Sequence, residues 1–559
     1  MERAPAITNL PRRPLVLATG ALAAVLFVLP LLMGTPLLDP DEGLHAAIAQ
    51  EMVERGDWIT PRLLGEPFLD KPILFFWALA ASIAAFPDGE FAVKLPGLAF
   101  GALGALATAL IAARWFGRRA GLLGFLAYAT LLLPMALTQG AVHDVALVPW
   151  TALAMLALWD ASAARTPAGA ARYGALAGLW LGLATLTKAL TGVVLVGLPF
   201  FVWTLLSRRL TLRLMAAGAL SLAVAGLVAW PWYSAMEAAN PGYLHYYFVE
   251  RHLMGYATST QLHGSRAWWY YLPVLVGGGL PWLPYALATL RPLVRDRAPA
   301  LLLAWTWLVV DVLFLSLAGS KLLTYLLPAF PAVALLAAAA WDRALREDAV
   351  EAGGVRRPAW RALHLLALLP LAAILPGAAA IVAREAGIAM GFIAWTAMAV
   401  ASLGWLAATV VGLTRGRAQA LTAIATSWVV TALVALLILL PAIAPAFSAR
   451  ALARHYNQAG RLPAQLWFYA QRVGSFIYYL DPPLRASLTR TRVRELRPDE
   501  VLGMRQAPPD VDIIVSAADM PKLDRRLRLS AQPSVPAGQH RIFEAATFVA
   551  AVRAATGER

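Results

Sequence analysis

An acidic cluster follows the first apolar segment of the chain. Its three carboxylates belong to Asp39, Asp41 and Glu42, and they lie within four residues. Charged side chains beside a membrane are costly unless they have a partner or a function, and 60% of this chain is hydrophobic. We expect Asp39 to cap a helix, and we expect the Asp41–Glu42 pair to meet a partner from elsewhere in the chain.

Other polar groups occur in short stretches between apolar segments. Those with side chains able to bind substrates or ions are Asp70, Lys71, His143, Asp144, Tyr247, Glu250, Arg251, His252, Arg266, Lys321 and Tyr325. Lysine and arginine neutralise phosphate oxygens, and carboxylates with a histidine can hold a bridging cation. The set therefore favours a phosphate-bearing lipid as substrate. The predicted ligands of a divalent cation (Zn²⁺, or Mg²⁺/Mn²⁺) are Asp70, Glu250 and His252.

Each of these groups also has a purely structural interpretation. Ordinary salt bridges within loops would explain the proposed cation ligands, and His143 fits a structural role as well as a catalytic one. Lys71 and Lys321 could extend their charges from the membrane to its surface. The chain has only five lysines against 42 arginines, however, and the topology below places all five on one side.

The elements that must position these residues are transmembrane helices. About 20 apolar residues cross a hydrocarbon core of about 30 Å, and the sequence predicts thirteen such spans. They lie near 15–33, 91–113, 121–137, 145–160, 174–187, 190–206, 214–231, 269–290, 299–318, 322–341, 362–383, 388–413 and 420–445. The spans at 174–187 and 190–206 are short enough to be one broken helix. Residues 73–86 are too short to span and are predicted to form an interfacial helix.

Arginines fall in every second connection between these spans. The positive-inside rule then places the N-terminus in the cytoplasm, and thirteen crossings place the C-terminus outside. Loops 34–90 and 232–268 would lie outside with the tail. We therefore expect a multi-pass α-helical membrane domain over 1–445, and a small α/β domain over 446–559.

Composition excludes several classes of protein. The net charge of +15 is spread over loops and tail, without the basic and aromatic pattern of an RNA-binding module, so we expect no nucleic-acid partner. The absence of cysteine excludes disulfides and cysteine-based metal sites. The sequence has no Walker A loop and no H-E-x-x-H motif, which argues against ATP-driven transport and zincin chemistry.

Four short motifs follow one another along the chain in an order that is typical of one family. They are Asp41-Glu42, the stretch from Gly56 to Arg62 (GDWITPR), Asp70-Lys71-Pro72 and His143-Asp144. This pattern resembles the protein mannosyltransferase-like glycosyltransferases of the C superfamily. It is most similar to bacterial lipid A 4-amino-4-deoxy-L-arabinose transferases, over residues 35–330.

The resemblance implies an undecaprenyl-phosphate-linked sugar as donor and lipid A as acceptor, at the periplasmic face of the bacterial inner membrane. It also implies thirteen spans and an outside C-terminal domain. Asp41 and Asp144 match the two essential aspartates of the family, and Lys71 matches the lysine beside the donor phosphate. We expect Asp144 to hold the sugar amine, and we expect a monomer surrounded by membrane lipids. The residues expected to bind substrate are Glu42, His143, Tyr247, Arg251, Arg266, Lys321 and Tyr325.

Two positions depart from the family pattern. Asp70 stands where glutamate is common, and Arg251 separates Glu250 from His252, so the cation ligand there is His252 on chemical grounds alone. Other functions stay open: transfer of the sugar to a protein or another glycan would need Asp41 as a general base. A secondary transporter or flippase would need charges in mid-membrane, where Asp311 is the main example.

Overall fold

The computed structural model describes residues 12–86, 89–254, 266–350, 358–471, 474–506 and 508–556. Within these residues, eight helices are long and apolar enough to cross a membrane, or up to ten if each of two bent pairs is one span. The eight are Glu90–Phe116, His143–Ala163, Leu212–Ala239, Pro299–Leu317, Leu323–Asp348, Ala359–Glu385, Phe392–Thr414 and Arg417–Phe447. The prediction of a multi-helical membrane protein is confirmed.

The remaining predicted spans coincide with shorter or bent helices. Arg118–Ala129 and Leu132–Thr138 meet at 66°, and Trp268–Gly278 and Leu283–Asp296 meet at 100°. Helices also cover the other three ranges, as Arg12–Phe27 with Leu29–Leu32, Pro167–Lys188 and Thr191–Leu206. Ala189 has a φ of +48° between the last two, so the chain breaks there into two helices. A count of thirteen crossings stays a prediction.

The first large loop is built from two helices and a short hairpin. Helix Asp41–Arg55 ends at Gly56, whose φ of +67° suits glycine at a helix C-terminus. Strands Arg62–Leu63 and Glu66–Pro67 pair antiparallel. Helix Leu74–Ala85 coincides with the predicted interfacial helix and buries Phe75, Phe76 and Leu79. This loop therefore packs into the protein instead of projecting into solvent.

The loop after helix Leu212–Ala239 contains a ten-residue π-helical segment, His245–Met254. Wide helical turns of this kind are rare and often occur at functional sites. The segment carries Tyr247, Glu250 and Arg251, and the side chain of His252 lies outside the described part of the chain.

The tail forms a mixed five-stranded sheet with helices on it. Across the sheet the strands are Val493–Leu496, Gln465–Tyr469, Val511–Ser516, His540–Glu544 and Val535–Ala537. The first three are mutually parallel, and His540–Glu544 runs antiparallel to both of its neighbours. The larger helices are Arg450–Ala459, Gly474–Tyr479, Pro482–Ser487, Met520–Leu527 and Ala545–Thr556.

One apolar core of the tail also includes a residue of the first loop. Ala47, from helix Asp41–Arg55, is buried with Leu452, Phe468 and Phe476 of the tail. The apolar stretch 476–479 belongs to a helix that packs on helix Asp41–Arg55. The first loop and the tail are thus packed as one body over one end of the helical bundle, which we call the site face.

Candidate functional site

A buried ion pair joins two membrane helices at the site face. Asp144 lies in the first turn of helix His143–Ala163, and Lys188 is the last residue of helix Pro167–Lys188. Lys188 Nζ donates to Asp144 Oδ1, and both side chains are at most 10% exposed. Burying a charge is costly unless it is paired, so each residue keeps the other ionised inside the protein.

The helix that begins near residue 323 completes this pair. Tyr325 presents its ring to Lys188, with Nζ 3.8 Å from the ring centroid. The Thr324 side chain lies near Asp144. A cation over an aromatic face is stabilised by the ring's quadrupole. Residues that are 44 to 181 positions apart in sequence therefore form one compact polar cluster.

Two first-loop residues lie beside this cluster. Lys71 lies close enough to Asp144 and Lys188 for its charge to interact with both of them. Asp41 lies close enough to Tyr325 to interact with it in the same way. Asp41 is exposed at the start of its helix. The structure thus brings together Asp41, Lys71 and Asp144, the three predicted catalytic residues, and adds Lys188.

Glu42 points away from this cluster into the protein. Lys94 Nζ lies 3.1 Å from Glu42 Oε1, and both side chains are only 4% exposed. The Leu38 N–H also donates to Glu42 Oε2 at 2.8 Å. The carboxylate predicted to contact substrate is therefore engaged within the protein, where it fixes the start of the first-loop helix.

The two histidines of the site face pack as a pair. The rings of His45 and His143 have centroids 4.4 Å apart and contact Phe75 and Phe76. His45 Nδ1 lies 2.7 Å from the carbonyl oxygen of Ala141. Burial lowers the pKa of His45, so the neutral ring donates Nδ1–H to that carbonyl. His143 is buried in this packing and does not face the open part of the site.

Asp70 and Arg251 connect the first loop to the π-helical segment. Arg251 Nη1 lies 2.8 Å from Asp70 Oδ1, and Tyr246 donates to the same oxygen at 3.1 Å. Burial and the nearby Asp70 carboxylate raise the pKa of Tyr246. The charge of Arg251 also acts on Tyr325, so this pair borders the cluster around Asp144 and Lys188.

The predicted cation ligands do not form a common set. Asp70 is paired with Arg251, while Glu250 lies 3.6 Å from His245 with both side chains more than half exposed. Among the described residues, no three histidine, aspartate or glutamate side chains are grouped so that they could hold a metal ion. The side chain of His252 lies outside that part of the chain, and a cation stays a prediction.

Three other predicted contacts lie away from the cluster. Tyr247 is 1% exposed and stacks on Tyr243 with centroids 5.3 Å apart, so it belongs to the aromatic core. Lys321 Nζ donates to the carbonyl oxygens of Ala318 and Arg266, at 2.5 and 3.4 Å. The Arg266 guanidinium is exposed and lies over Tyr270. All three side chains therefore make their contacts within the protein, away from the cluster.

Asp39 does not cap the helix that follows it. Its carboxylate accepts hydrogen bonds from the backbone N–H of Ser475, at 2.9 Å, and from the Ser475 hydroxyl. Its own N–H donates to the carbonyl of Phe447 at 2.8 Å. The helix has no side-chain cap, because this carboxylate connects the first loop to the tail.

Sequence reasoning missed two lysines in this part of the structure. Neither Lys188 nor Lys94 is among the residues expected to bind substrate, and the sequence sets them apart only as two of its five lysines. The signal available for both was the scarcity of lysine and its placement on one side. The arrangement gathers three cations, Lys71, Lys188 and Arg251, and three carboxylates, Asp41, Asp70 and Asp144. Such a site can bind a phosphate ester and stabilise charge that develops on it.

Comparison with known proteins agrees with this chemistry. The family model for dolichyl-phosphate-mannose-protein mannosyltransferases matches residues 70–234. An undecaprenyl phosphate-alpha-4-amino-4-deoxy-L-arabinose arabinosyl transferase of Aeromonas salmonicida is 36% identical over 365 residues, 63% of this chain and 65% of that protein. The transferase of the same name from Pectobacterium carotovorum is 32% identical over 401 residues, 71% of each chain.

The chain belongs to this arabinosyl transferase family. The chain covers less than two thirds of the length of some relatives. It covers 65% of the Aeromonas salmonicida protein and 56% of the transferase of the same name from Aeromonas hydrophila. The fold extends further: the crystal structure of ArnT from Cupriavidus metallidurans bound to undecaprenyl phosphate superposes with a TM-score of 0.72. It covers 94% of this chain and 97% of that one at 24% identity. The family fold therefore includes the tail domain.

Proposed function

We propose that this chain transfers 4-amino-4-deoxy-L-arabinose from undecaprenyl phosphate to a phosphate of lipid A. The names of the arabinosyl transferase relatives support the donor and the sugar. The observation that carries the proposal is the cluster of Asp41, Lys71, Asp144 and Lys188 at one end of the bundle. Nucleotide sugars are absent outside the cytoplasm, so a transferase working there needs a lipid-phosphate donor.

In the proposed reaction, the bond between the sugar C1 and an oxygen of undecaprenyl phosphate breaks. A bond forms between C1 and an oxygen of the lipid A phosphate, and undecaprenyl phosphate leaves with the electron pair. Negative charge grows on the leaving phosphate, where Lys71, Lys188 and Arg251 would stabilise it. The acceptor phosphate is already anionic, so a strong general base is unnecessary.

The two carboxylates are assigned different roles. Asp41 is exposed and close to Tyr325, so it is suited to orient the acceptor or the ammonium group of the sugar. Asp144 is occupied by Lys188. We therefore assign it the task of holding Lys188 at the donor phosphate, in place of the direct contact with the sugar amine expected from sequence.

The proposal also includes the setting of the enzyme. The chain would lie in the bacterial inner membrane, surrounded by membrane lipids, with the site face and the tail domain in the periplasm. We propose that it acts as a monomer. The first loop and the tail pack together above the site, where the head group of a large glycolipid acceptor would approach.

Mass spectrometry of lipid A tests the proposal in cells that lack the gene and carry it on a plasmid. The expected result is lipid A with one added aminopentose when the wild-type chain is present, and none with Asp41→Asn. The matched control is Asp481→Asn, which neutralises an exposed aspartate of the tail and should leave the modification unchanged. Unmodified lipid A with an altered protein or glycan would contradict lipid A as acceptor.

A further inference from the structure

A second polar cavity lies at the other end of the helical bundle, which we call the far face. Helix Glu90–Phe116 carries Lys94, the partner of Glu42, near its start, and Phe116 at its end lines this cavity. At about 1.5 Å per residue, the helix rises roughly 33 Å between these two residues, about one hydrocarbon thickness. The cavity is therefore separate from the transferase site.

The far-face cavity has a volume of about 700 Å³, within the range of about 300–1,000 Å³ that is usual for ligand sites. Its charged lining comes from the segment 290–296 and from helix Phe330–Val350, which continues the membrane helix that begins at Leu323. The arginines are Arg291, Arg295, Arg343 and Arg346, and the carboxylates are Asp296, Asp342 and Glu347. Positive groups thus outnumber negative ones.

The carboxylates of helix Phe330–Val350 are already neutralised. Asp342 accepts from Arg119 at 2.6 Å and from Arg346 at 2.7 Å, and its side chain is 7% exposed. Glu347 accepts from Arg343 at 3.2 Å. These pairs hold this wall of the cavity in place and leave little negative charge directed into it.

The arginines of the opposite wall are not neutralised in this way. Among the described residues, Arg291 has no ion-pair partner, and Arg295 has only its exposed neighbour Asp296 at 3.8 Å. Exposed pairs of this length contribute little. Uncompensated positive charge is therefore concentrated at Arg291 and Arg295.

Apolar side chains are exposed immediately before this segment and at its start. Leu287 and Leu290 are 47% and 41% exposed, next to the arginine wall. Trp360 and Phe116 line the cavity itself. A ligand with an anionic head group and hydrocarbon chains could contact both surfaces together, which a free phosphate ester could not do.

We propose that the far-face cavity binds the head group of an anionic glycerophospholipid. The phosphodiester would accept hydrogen bonds from Arg291 and Arg295, and the acyl chains would lie on Leu287 and Leu290. Basic pockets between membrane helices on the cytoplasmic side are known to take anionic lipid head groups. The arginine fork matches phosphate geometry, and the lipid would fix segment 290–296 against helix Phe330–Val350.

Native mass spectrometry of the purified full-length protein tests this site. The protein is titrated with phosphatidylglycerol, with phosphatidylcholine and with sn-glycerol 1-phosphate. We expect one phosphatidylglycerol per chain, bound at least about tenfold more tightly than phosphatidylcholine. The double variant Arg291→Gln/Arg295→Gln should weaken this binding by about 10–30-fold, given the typical contribution of a basic residue near an anionic lipid.

Two further variants distinguish the effect of the arginines in this cavity from the effect of losing positive charge anywhere on the protein. Arg172→Gln/Arg208→Gln removes two exposed arginines elsewhere and should change phosphatidylglycerol binding by less than about twofold. Arg291→Lys/Arg295→Lys keeps the charge but loses the guanidinium fork, so it should bind more tightly than the glutamine variant and less tightly than the wild type. Equal binding of phosphatidylcholine, an equal loss in the control, or equally tight binding of glycerol phosphate would overturn the proposal.

Discussion

At the scale of single residues, the site depends on where charge is buried. Asp144 and Lys188 are paired beneath Tyr325, whereas Asp41 stays exposed nearby. A buried carboxylate that has lost its cation pays the full cost of desolvation, so neither member of the pair can be removed alone without a stability penalty. An effect on activity must therefore be separated from an effect on folding.

Replacing Lys188 with methionine tests the role of this pair. Lys188→Met should lower the rate of sugar transfer by about 100-fold or more, because a cation that stabilises the leaving phosphate is lost. It should also destabilise the protein by roughly 3–5 kcal/mol, since Asp144 is left unpaired. Transfer is measured with purified protein, donor and lipid A, and stability by thermal unfolding in the same detergent.

The double variant Asp144→Asn/Lys188→Met distinguishes the two effects. It removes both charges, so its unfolding temperature should return close to that of the wild type. Its transfer rate should stay low. Recovery of activity in the double variant would show that the pair serves only to hold the helices together.

At the scale of elements, the first loop is fixed from below and from above. Lys94 holds Glu42 from the membrane helix, and Ser475 of the tail holds Asp39. A Cβ at Gly43 would collide with the backbone of Ser475, so glycine permits this contact. Helix Asp41–Arg55 thus carries Asp41 at a terminus whose position is set by two other parts of the chain.

The contact between Asp39 and Ser475 predicts a pH dependence of stability. Burial raises the pKa of Asp39 from 3.8 to about 7, so the folded state binds a proton that the unfolded state has released. The contribution of Asp39 to the free energy of unfolding is greatest below about pH 4 and declines as the pH rises toward 7. The unfolding temperature of the wild type relative to Asp39→Asn should therefore be lower at pH 8 than at pH 5.

An exposed carboxylate provides the comparison for this experiment. Asp481→Asn changes the same functional group at the surface of the tail, so its difference from the wild type should not vary over this pH range. The prediction for Asp39 fails if its variant shows the same flat profile. The assay needs no substrate, and it does not depend on the proposed reaction.

At the scale of the whole molecule, the membrane region has two ends with different polar chemistry. The site face combines buried lysines and carboxylates under the tail, while the far face has an open arginine-lined cavity. Arginine-rich connections are expected on the cytoplasmic side. This asymmetry supports the proposed orientation, with the tail in the periplasm.

Thiol labelling in cells tests that orientation directly. The chain has no cysteine, so an introduced one is the only thiol in the protein that can be labelled. Ser487→Cys lies on an exposed part of the tail, and Arg208→Cys lies in an exposed connection of the membrane region. A membrane-impermeant maleimide should label Ser487→Cys in intact cells, and Arg208→Cys only after lysis. The reverse pattern would invert the topology.

Much of the site could be predicted because it lies at the ends of predictable helices. Long apolar segments predict the spans, and the order of the motifs identifies Asp41, Lys71 and Asp144 as candidate catalytic residues. The roles of Glu42 and Tyr247 are harder to predict from sequence, because a side chain next to a reactive residue in sequence can point in the opposite direction. Glu42 follows Asp41 directly, yet it faces Lys94 in the interior.

The sequence by itself determined that this is a membrane protein with polar chemistry gathered at helix ends, since apolar length and charge placement are local properties. Only the tertiary structure decided which charges are partners. Asp144 meets Lys188, Asp70 meets Arg251, and Asp39 meets Ser475 across 436 positions. A buried charge takes whichever partner the packing of helices brings within reach, and sequence spacing does not specify that packing.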